Sequence, residues 1–256
     1  MRKQYYKNGI TIRLLIVLSI ALVFLVYISV KTTGNIATVF LPTKELPIYS
    51  VETLEKKIAL SFDAAWGNEY TMYILDTLDK YNIKSTFFLV GFWVDKYPED
   101  VKEIARRGHD IGNHSTTHPN MSELSQEKML DEIQKTGKNI EKLTGKETTL
   151  FRPPFGDYND LLIRSCKDIG YYVIQWDVDS LDWKELGVQP VVDRVTRNVR
   201  NGSIVLFHNN AKYIKEYLPL VIERLQESGY EIVPVSELIY KENFLIDNTG
   251  RQILTK

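Results

Sequence analysis

From Lys56 onward, short apolar runs alternate with longer segments whose apolar positions recur every three or four residues. The short runs have the length and the β-branched or aromatic content of buried strands. The clearest cover residues 58–62, 86–90, 171–174, 203–207 and 231–235, and weaker ones cover 109–111 and 149–151. The longer segments predict helices near residues 71–81, 98–107, 160–169, 190–200 and 214–228. The clearest predicted helix follows Ser125 as N-cap and ends before Gly145.

The order of these elements predicts an α/β protein built on a parallel sheet. Glycines stand where helices should stop and strands begin, at Gly108, Gly145, Gly170, Gly202 and Gly229. Seven strand–helix units of this kind favour a sheet closed into a barrel over an open sheet. A Rossmann domain is not indicated, because no phosphate-binding glycine loop follows the first strand.

The N-terminal residues have a different pattern. Residues 14–30 form an apolar run without charge, which four basic residues precede and Lys31 follows. About 20 apolar residues span a bilayer, so we predict a single-pass signal anchor in the cell membrane. The basic residues place the N terminus in the cytoplasm and the remaining chain on the extracytoplasmic side. A cleaved signal peptide is the alternative, but the run is long for one and no clean cleavage site follows it closely.

These patterns divide the chain into four parts. Residues 1–31 are the basic segment and the transmembrane anchor, and residues 32–55 are a linker with two prolines and few periodic apolar positions. Residues 56–240 are the barrel, and residues 241–256 are a C-terminal tail.

Composition narrows the classes of function. With 44% hydrophobic and 25% charged residues the chain is globular in type, and its formal net charge of -1 gives no reason to expect nucleic acid as a partner. The single cysteine, Cys166, cannot form an internal disulfide. It lies in a predicted amphipathic helix, so we expect a core thiol rather than a nucleophile. A monomer is expected.

Residues that can carry chemistry follow several of the predicted strands. Two of the four histidines, His114 and His118, are four residues apart, which allows both imidazoles to bind one cation. A chance pair of surface histidines is the alternative. Other strand ends carry Asp63, Arg152, Asp182 and His208. In a parallel barrel the carboxyl ends of the strands meet at one mouth, where catalytic groups lie, so we expect these side chains in one site.

Five short motifs occur in a fixed order along the chain. They are Ser61-Phe62-Asp63-Ala64, His114-Ser115-Thr116-Thr117-His118, Arg152-Pro153-Pro154-Phe155, Asp179-Ser180-Leu181-Asp182-Trp183 and Leu206-Phe207-His208. With these motifs, residues 57–238 resemble the polysaccharide deacetylases that have a chitooligosaccharide-deacetylase homology domain. Residues 92–119, with the anchor and the short tail, look most like the sporulation-associated, membrane-anchored members of spore-forming bacteria.

The resemblance implies a distorted (β/α)7 barrel, a divalent metal and hydrolysis of N-acetyl groups on cell-wall or chitin-like glycans. The metal ligands would be His114 and His118, with zinc expected ahead of cobalt or nickel. The remaining catalytic set would be Asp63 as general base, Arg152 holding it, His208 as general acid and Asp182 orienting it. Trp183 and Leu206 would line the acetyl pocket, the backbone near Phe155 would meet the carbonyl oxygen, and Trp66 would offer a surface for a sugar.

One motif position departs from the family's pattern. The usual third metal ligand is an aspartate directly after the catalytic one, and Ala64 stands there in this chain. Three arrangements are open: water fills the position, Asp63 moves onto the metal, or Glu69 reaches in. An active N-deacetylase acting on N-acetylglucosamine or N-acetylmuramic acid is favoured, because the base, the acid and both of their partners remain. The alternatives are a weak or inactive membrane-tethered glycan-binding protein and an esterase acting on O-acetyl groups.

Overall fold

The computed structural model describes residues 16–25, 27 and 44–255, and the chain divides into two compact units after Thr43. In the first unit, residues 16–25 are helical. Within the described residues we find no helix with the length and apolar character that a membrane crossing requires. Part of the predicted anchor, residues 14–30, lies outside the described residues.

The second unit contains short strands connected mostly by helices. In chain order its strands are β1 (Ser50–Val51), β2 (Lys57–Ala64), β3 (Thr86–Leu89), β4 (Asp110–Asn113), β5 (Leu150–Phe151), β6 (Tyr172–Val173), β7 (Val178–Asp179), β8 (Ile204–His208), β9 (Glu231–Ile232), β10 (Phe244–Ile246) and β11 (Arg251–Leu254). Its α-helices are α1 (Thr71–Lys80), α2 (Gly91–Lys96), α3 (Pro98–Arg106), α4 (Gln126–Thr144), α5 (Asp160–Asp168), α6 (Val188–Asn198), α7 (Ile214–Glu227) and α8 (Val235–Leu238). Single 3-10 turns cover Met121–Glu123, Pro154–Gly156 and Asp182–Lys184.

The main sheet is a half-barrel. Its strands lie in the order β6-β5-β4-β3-β2-β8-β7, β9 pairs with the start of β2, and all of these pairings are parallel. Among the described residues no ladder joins β6 to β7. The parallel α/β arrangement predicted from the pattern is confirmed, but the closed barrel is corrected to an open half-barrel. The edge strands β6 and β7 have only two residues each, and no helix lies between them. Neither strand therefore extends its hydrogen bonds to the opposite edge of the sheet.

Buried aromatic residues of the three central strands fix one face of the sheet. Phe62 of β2 stacks on Phe87 of β3 and Phe207 of β8, with ring centres 5.1 and 5.7 Å apart. Side chains alternate between the two faces of a strand, so Ser61 and Asp63 point away from this cluster. The alternation of β2 therefore sends its polar residues to the inner side of the half-barrel.

Residues 44–55, which the sequence pattern assigns to a linker, run along the open side of the sheet. The Ile48 N–H donates to the Val173 carbonyl at 2.9 Å, and the Gln175 N–H donates to the Ile48 carbonyl at 2.7 Å. Ile48 and Val51 are buried. Strand β1 pairs with β11, which pairs with β10 in a second sheet of three strands. The assigned linker and tail thus contribute ordered strands to the second unit.

The predicted helices agree with the structure to within two residues at their ends. Helix α4 begins after Ser125, whose hydroxyl accepts from the Lys128 N–H, and ends at Gly145 in a left-handed conformation (φ 71°). The predicted strand at 231–235 is too long, because Pro234 has no N–H to extend the ladder and instead precedes α8. Burial raises the pKa of the Cys166 thiol to about 12, which agrees with the predicted core thiol.

Candidate active site

The carboxyl ends of the central strands bring the predicted catalytic residues together. Asp63 on β2 is the direct neighbour of His208 on β8, and Asn113 on β4 pairs with Phe151 on β5. His114 and Arg152, which follow those two residues, therefore lie side by side. Residues from four strand ends meet at one mouth, as expected for catalytic groups of a parallel α/β fold.

Asp63 is held by a buried arginine. The Arg152 Nη1 donates to Asp63 Oδ1 at 2.7 Å, and its Nη2 donates to Ser61 Oγ at 2.9 Å and to the Gln175 carbonyl at 3.2 Å. The Arg152 guanidinium also lies over the Phe88 ring, 4.0 Å from its centre. Burial alone would raise the pKa of Asp63, but the charge and hydrogen bond of Arg152, together with the nearby His114 and His208, outweigh burial and hold the pKa below its ordinary value. Asp63 is therefore an ionised carboxylate at neutral pH, which is the form a general base requires.

His114 presents an unprotonated nitrogen to the same space. Its Nδ1 lies 2.6 Å from the Arg152 carbonyl oxygen, which can only accept, so Nδ1 carries the proton and Nε2 has a free lone pair. Nε2 lies 3.5 Å from Asp63 Oδ2. Burial lowers the pKa of His114, so its ring is neutral at pH 7.

His118 lies next to His114 at the end of a strained loop. The two ring centres are 4.9 Å apart and the rings are inclined by 76°. Ser115 and His118 have φ angles of 67° and 60°, which non-glycine residues adopt only where the surroundings enforce them. Burial lowers the pKa of His118 to about 4, so this ring is also neutral and can ligate a cation.

Glu132 of α4 supports the loop between the two histidines. Its Oε2 accepts from the backbone N–H groups of Thr116 at 2.8 Å and Thr117 at 2.7 Å, and its Oε1 accepts from the Thr117 hydroxyl at 2.8 Å. Sequence reasoning missed Glu132, because nothing in the sequence distinguishes it from the solvated acidic residues of an amphipathic helix.

His208 is paired with a buried carboxylate on the other side of Asp63. Its Nδ1 lies 2.7 Å from Asp182 Oδ1, and its backbone N–H donates to Asp182 Oδ2 at 2.9 Å. Tyr217 also donates to Asp182 Oδ2, at 2.8 Å, a contact that no sequence motif marks. Burial alone would lower the pKa of His208, but its hydrogen bond to Asp182 and the charge of that carboxylate outweigh burial and raise it. The protonated ring that a general acid needs is therefore favoured.

His114 and His118 offer two nitrogen ligands to a divalent cation, and the described part of the chain groups no third protein ligand with them. Within the described ranges, no three His, Cys, Asp or Glu side chains are grouped to hold a metal. Ala64 is buried in the main hydrophobic cluster, and the exposed Glu69 completes no such group. Two neutral imidazoles suit zinc, cobalt or nickel, whereas catalytic zinc usually has three protein ligands.

The predicted substrate contacts differ in exposure. Leu206 is buried, on the strand that ends in His208. Trp66, Phe155 and Trp183 are 59%, 68% and 56% exposed. The ring centres of Phe155 and Trp66 lie 4.5 and 5.2 Å from that of His118. Exposed aromatic rings around a polar centre are typical of a binding mouth rather than of a packed core.

Comparisons with known proteins agree with this geometry. A family model described as polysaccharide deacetylase matches residues 50–174. A peptidoglycan-N-acetylglucosamine deacetylase of Bacillus cereus is 38% identical over 196 residues, which cover 75% of this chain and 92% of the relative. The peptidoglycan-N-acetylmuramic acid deacetylase PdaA of Bacillus subtilis is 32% identical over 198 residues, which cover 76% of this chain and 75% of the relative.

Solved structures extend the similarity to a protein that is described as a pseudoenzyme. The wild-type BA3943 protein of Bacillus anthracis, described as a CE4 family pseudoenzyme, matches with a TM-score of 0.73 and 37% identity over 76% of this chain and 69% of that one. A BA3943 mutant described as having restored enzymatic activity matches with a TM-score of 0.74 and 38% identity over 76% and 71%. Matches at this identity and coverage confirm the resemblance predicted from the five motifs, and the chain belongs to the polysaccharide deacetylase family.

Proposed function

We propose that the protein is a metal-dependent hydrolase that removes N-acetyl groups from the sugars of peptidoglycan. The observation that carries the proposal is the pairing at one mouth of an ionised Asp63, held by Arg152, with a His208 whose pKa is raised through Asp182. These are the protonation states that a base and an acid need at neutral pH. The names of the relatives support the choice of N-acetylglucosamine or N-acetylmuramic acid as the sugar.

The reaction needs two proton transfers. Asp63 takes a proton from water as the water oxygen attacks the carbonyl carbon of the acetamide. His208 then gives its Nε2 proton to the sugar nitrogen as the C–N bond breaks, which leaves acetate and a free amine. A divalent cation held by His114 and His118 would polarise the carbonyl and acidify the attacking water.

Other residues of the mouth position the acetyl group. In the proposal Leu206 and Trp183 line the space for its methyl, and the backbone near Phe155 faces its carbonyl oxygen. Phe155 has a positive φ of 58° within its 3-10 turn, a conformation that turns the local backbone out of a regular helix. A fixed donor at this point would stabilise the oxyanion of the tetrahedral intermediate.

The test of the substrate class compares N-acetylated with O-acetylated glycans. Purified protein with added zinc should release acetate from peptidoglycan and from N-acetylglucosamine oligomers, with one new free amine for each acetate. Acetate from O-acetylated sugar without new amines would instead show an esterase. The matched control is Asp63→Asn, which keeps the shape of the base and removes its charge.

A glycan-binding protein without turnover is the second candidate, and Ala64 is the observation that favours it. Only two imidazoles are grouped at the metal position among the described residues, and the similar BA3943 is described as a pseudoenzyme. Binding of N-acetylglucosamine oligomers without acetate at any zinc concentration would establish this candidate over the hydrolase.

The location of the protein is a further part of the proposal. The charge-free run at residues 14–30, with basic residues before it, supports a single-pass anchor with residues 44–255 outside the cytoplasm. Protease added to intact protoplasts should then remove the catalytic unit, and protection from the protease would contradict this topology. A role in sporulation stays a prediction that rests on the sequence resemblance alone.

A further inference from the structure

The turn that carries Phe155 has a backbone conformation that needs support from its surroundings. Phe155 and Gly156 follow each other with φ angles of 58° and 67°, both in the left-handed region. A non-glycine residue keeps such a φ only where neighbouring contacts hold it. The side chain of Phe155 is 68% exposed, so it does not anchor the turn in the core. The conformation of Pro154–Gly156 therefore depends on contacts to its backbone.

One such contact comes from a buried amide on a distant part of the chain. Gln175 is 1% exposed, and its Nε2 donates to the Gly156 carbonyl at 3.2 Å. A Cβ at Gly156 would lie 3.2 Å from Gln175 Oε1 and 3.2 Å from Trp176 Cη2. The side chain of Gln175 thus packs closely against the turn and also bonds to it.

Gln175 is itself fixed by both of its backbone groups. Its N–H donates to the Ile48 carbonyl at 2.7 Å, and its carbonyl accepts from Arg152 Nη2 at 3.2 Å. The same Arg152 holds Asp63 through its other terminal nitrogen. Gln175 therefore fixes the turn relative to the arginine that orients the general base.

We propose that Gln175 is a positioning residue for the reaction, which holds the turn Pro154–Gly156 where its backbone can stabilise the oxyanion. This inference rests on the proposed function and adds a residue that lies outside the five motifs. Donors stabilise a developing oxyanion most when they are fixed before the reaction, since no free energy is then spent on arranging them. Misplacement of such a group by about 1 Å can cost roughly 10²-fold in rate.

A positioning role and a merely structural role differ in their effect on kinetics. An amide that only stabilises the fold lowers the Tm when it is lost, but the molecules that stay folded keep their turnover. The oxyanion exists only in the transition state and the tetrahedral intermediate. Loss of its stabilisation therefore lowers kcat and leaves KM nearly unchanged.

The test uses Gln175→Met in the full chain, with N-acetylglucosamine oligomers as substrate and saturating zinc. Methionine keeps the unbranched shape of the side chain and removes the Nε2 donor. We expect kcat to fall roughly 10–100-fold, less than for direct loss of an oxyanion donor, while KM and zinc content stay near their wild-type values. Gly156→Ala strains the same turn, because its φ of 67° disfavours a side chain. If both substitutions act through this turn, the loss in the double variant should be clearly smaller than the product of the two single losses.

Gln252→Met is the matched control. Gln252 is also buried, and its Nε2 donates to the Tyr240 carbonyl at 2.6 Å, but it lies on β11 in the second sheet. This variant should lower the Tm and keep kcat. Hydrogen exchange gives a readout without turnover, because the N–H groups of Gly156 and Asp157 close the turn by donating to the carbonyls of residues 153 and 154. Both should exchange faster in Gln175→Met than in Gln252→Met or the wild type.

The inference is overturned if Gln175→Met keeps the wild-type kcat, if Gln252→Met loses as much, or if exchange in the turn is unchanged. Losses that simply multiply in the double variant would also contradict it. A wild type that releases no acetate overturns the proposed function instead, and hydrogen exchange then still decides whether Gln175 holds the turn.

Discussion

Asp182 accepts three hydrogen bonds: two come from His208, one from its ring and one from its backbone N–H, and the third comes from the Tyr217 hydroxyl. On the other side of the site Arg152 donates to Asp63, Ser61 and the Gln175 carbonyl. Arg152 thus lowers the pKa of Asp63, and Asp182 raises the pKa of His208. Single substitutions should therefore act on protonation rather than on shape.

The pH dependence of turnover should follow His208. Its pKa is raised by Asp182 against the effect of burial, so activity should fall at alkaline pH, as the ring loses its proton. Asp182→Asn removes the charge that does most to oppose burial, so the pKa of His208 should fall and the alkaline limb of kcat/KM should move to lower pH. Turnover at neutral pH should drop roughly 10²–10⁴-fold, as for loss of a general acid. Tyr217→Phe, which keeps the Asp182 charge, should keep the limb near its wild-type position. An unmoved limb in Asp182→Asn would show that His208 is not the acid.

Ala64→Asp should change both stability and metal binding. Its methyl is buried in the main hydrophobic cluster, so an aspartate there without a cation is a buried charge and should lower the Tm. If the carboxylate supplies the missing ligand, zinc should raise the Tm of Ala64→Asp more than that of the wild type. Calorimetric titration with zinc should give tighter binding for Ala64→Asp than for the wild type. Equal zinc affinity in the two proteins would show that position 64 does not face the metal.

At the scale of elements, helix α4 supports the loop of residues 114–118, which carries the two histidines and is called the metal loop below. Glu132 binds two backbone N–H groups and a hydroxyl of the loop, and the Thr136 hydroxyl donates to the Ser115 carbonyl at 3.1 Å. The loop contains two non-glycine residues with positive φ, which cost about 1–3 kcal/mol each unless contacts compensate. The helix thus stabilises a conformation that the loop would not keep alone.

Removal of this support should weaken metal binding. Glu132→Ala deletes three hydrogen bonds to the loop and should lower zinc affinity roughly 10–100-fold, as losses around metal ligands do. Asp131→Ala removes the same charge from an exposed neighbour on the same helix and should leave zinc affinity unchanged. Equal affinities in the two variants would mean that the loop holds its shape without Glu132.

Helices and strands could be predicted from the sequence where they are long enough for a periodic pattern to repeat. The buried run of β2 and the stripe of α4 are long enough to show their periods, and both were located to within two residues. Helix α2 has six residues and β7 has two, too few for a period to be recognised.

The motif residues of the site could be named from the resemblance. Ser61, 91 residues from Arg152, and Tyr217, 35 residues from Asp182, act through contacts that only folding creates.

At the scale of the whole molecule, the open half-barrel depends on the segment that precedes it. Ile48 bonds to β6 and Gln175, and the Gln175 carbonyl in turn accepts from the Arg152 that holds Asp63. A chain of contacts therefore runs from residues 44–51 to the general base. Seen as a linear pattern these residues resembled a linker, because their partners lie more than a hundred positions away in sequence.

Truncation from the N terminus should show which residues the second unit needs for its stability. A protein that starts at Lys44 keeps the second compact unit and should keep its cooperative unfolding. A protein that starts at Lys56 loses the buried Ile48 and Val51, each contributing about 1.5–3 kcal/mol, and should unfold roughly 10 °C lower. Thermal unfolding followed by circular dichroism measures the difference. The same Tm for both proteins would show that this segment does not stabilise the half-barrel.

The measurement that tests the central claim most directly is the rate of acetate release from peptidoglycan at saturating zinc. Wild type, Asp63→Asn and His208→Ala are compared, with zinc content and thermal unfolding recorded for each protein. We predict turnover by the wild type and a drop of roughly 10²–10⁴-fold in each variant, with zinc content and folding retained. No acetate from the wild type at any zinc concentration, or the same rate in all three proteins, would contradict the assignment of Asp63 and His208 as base and acid.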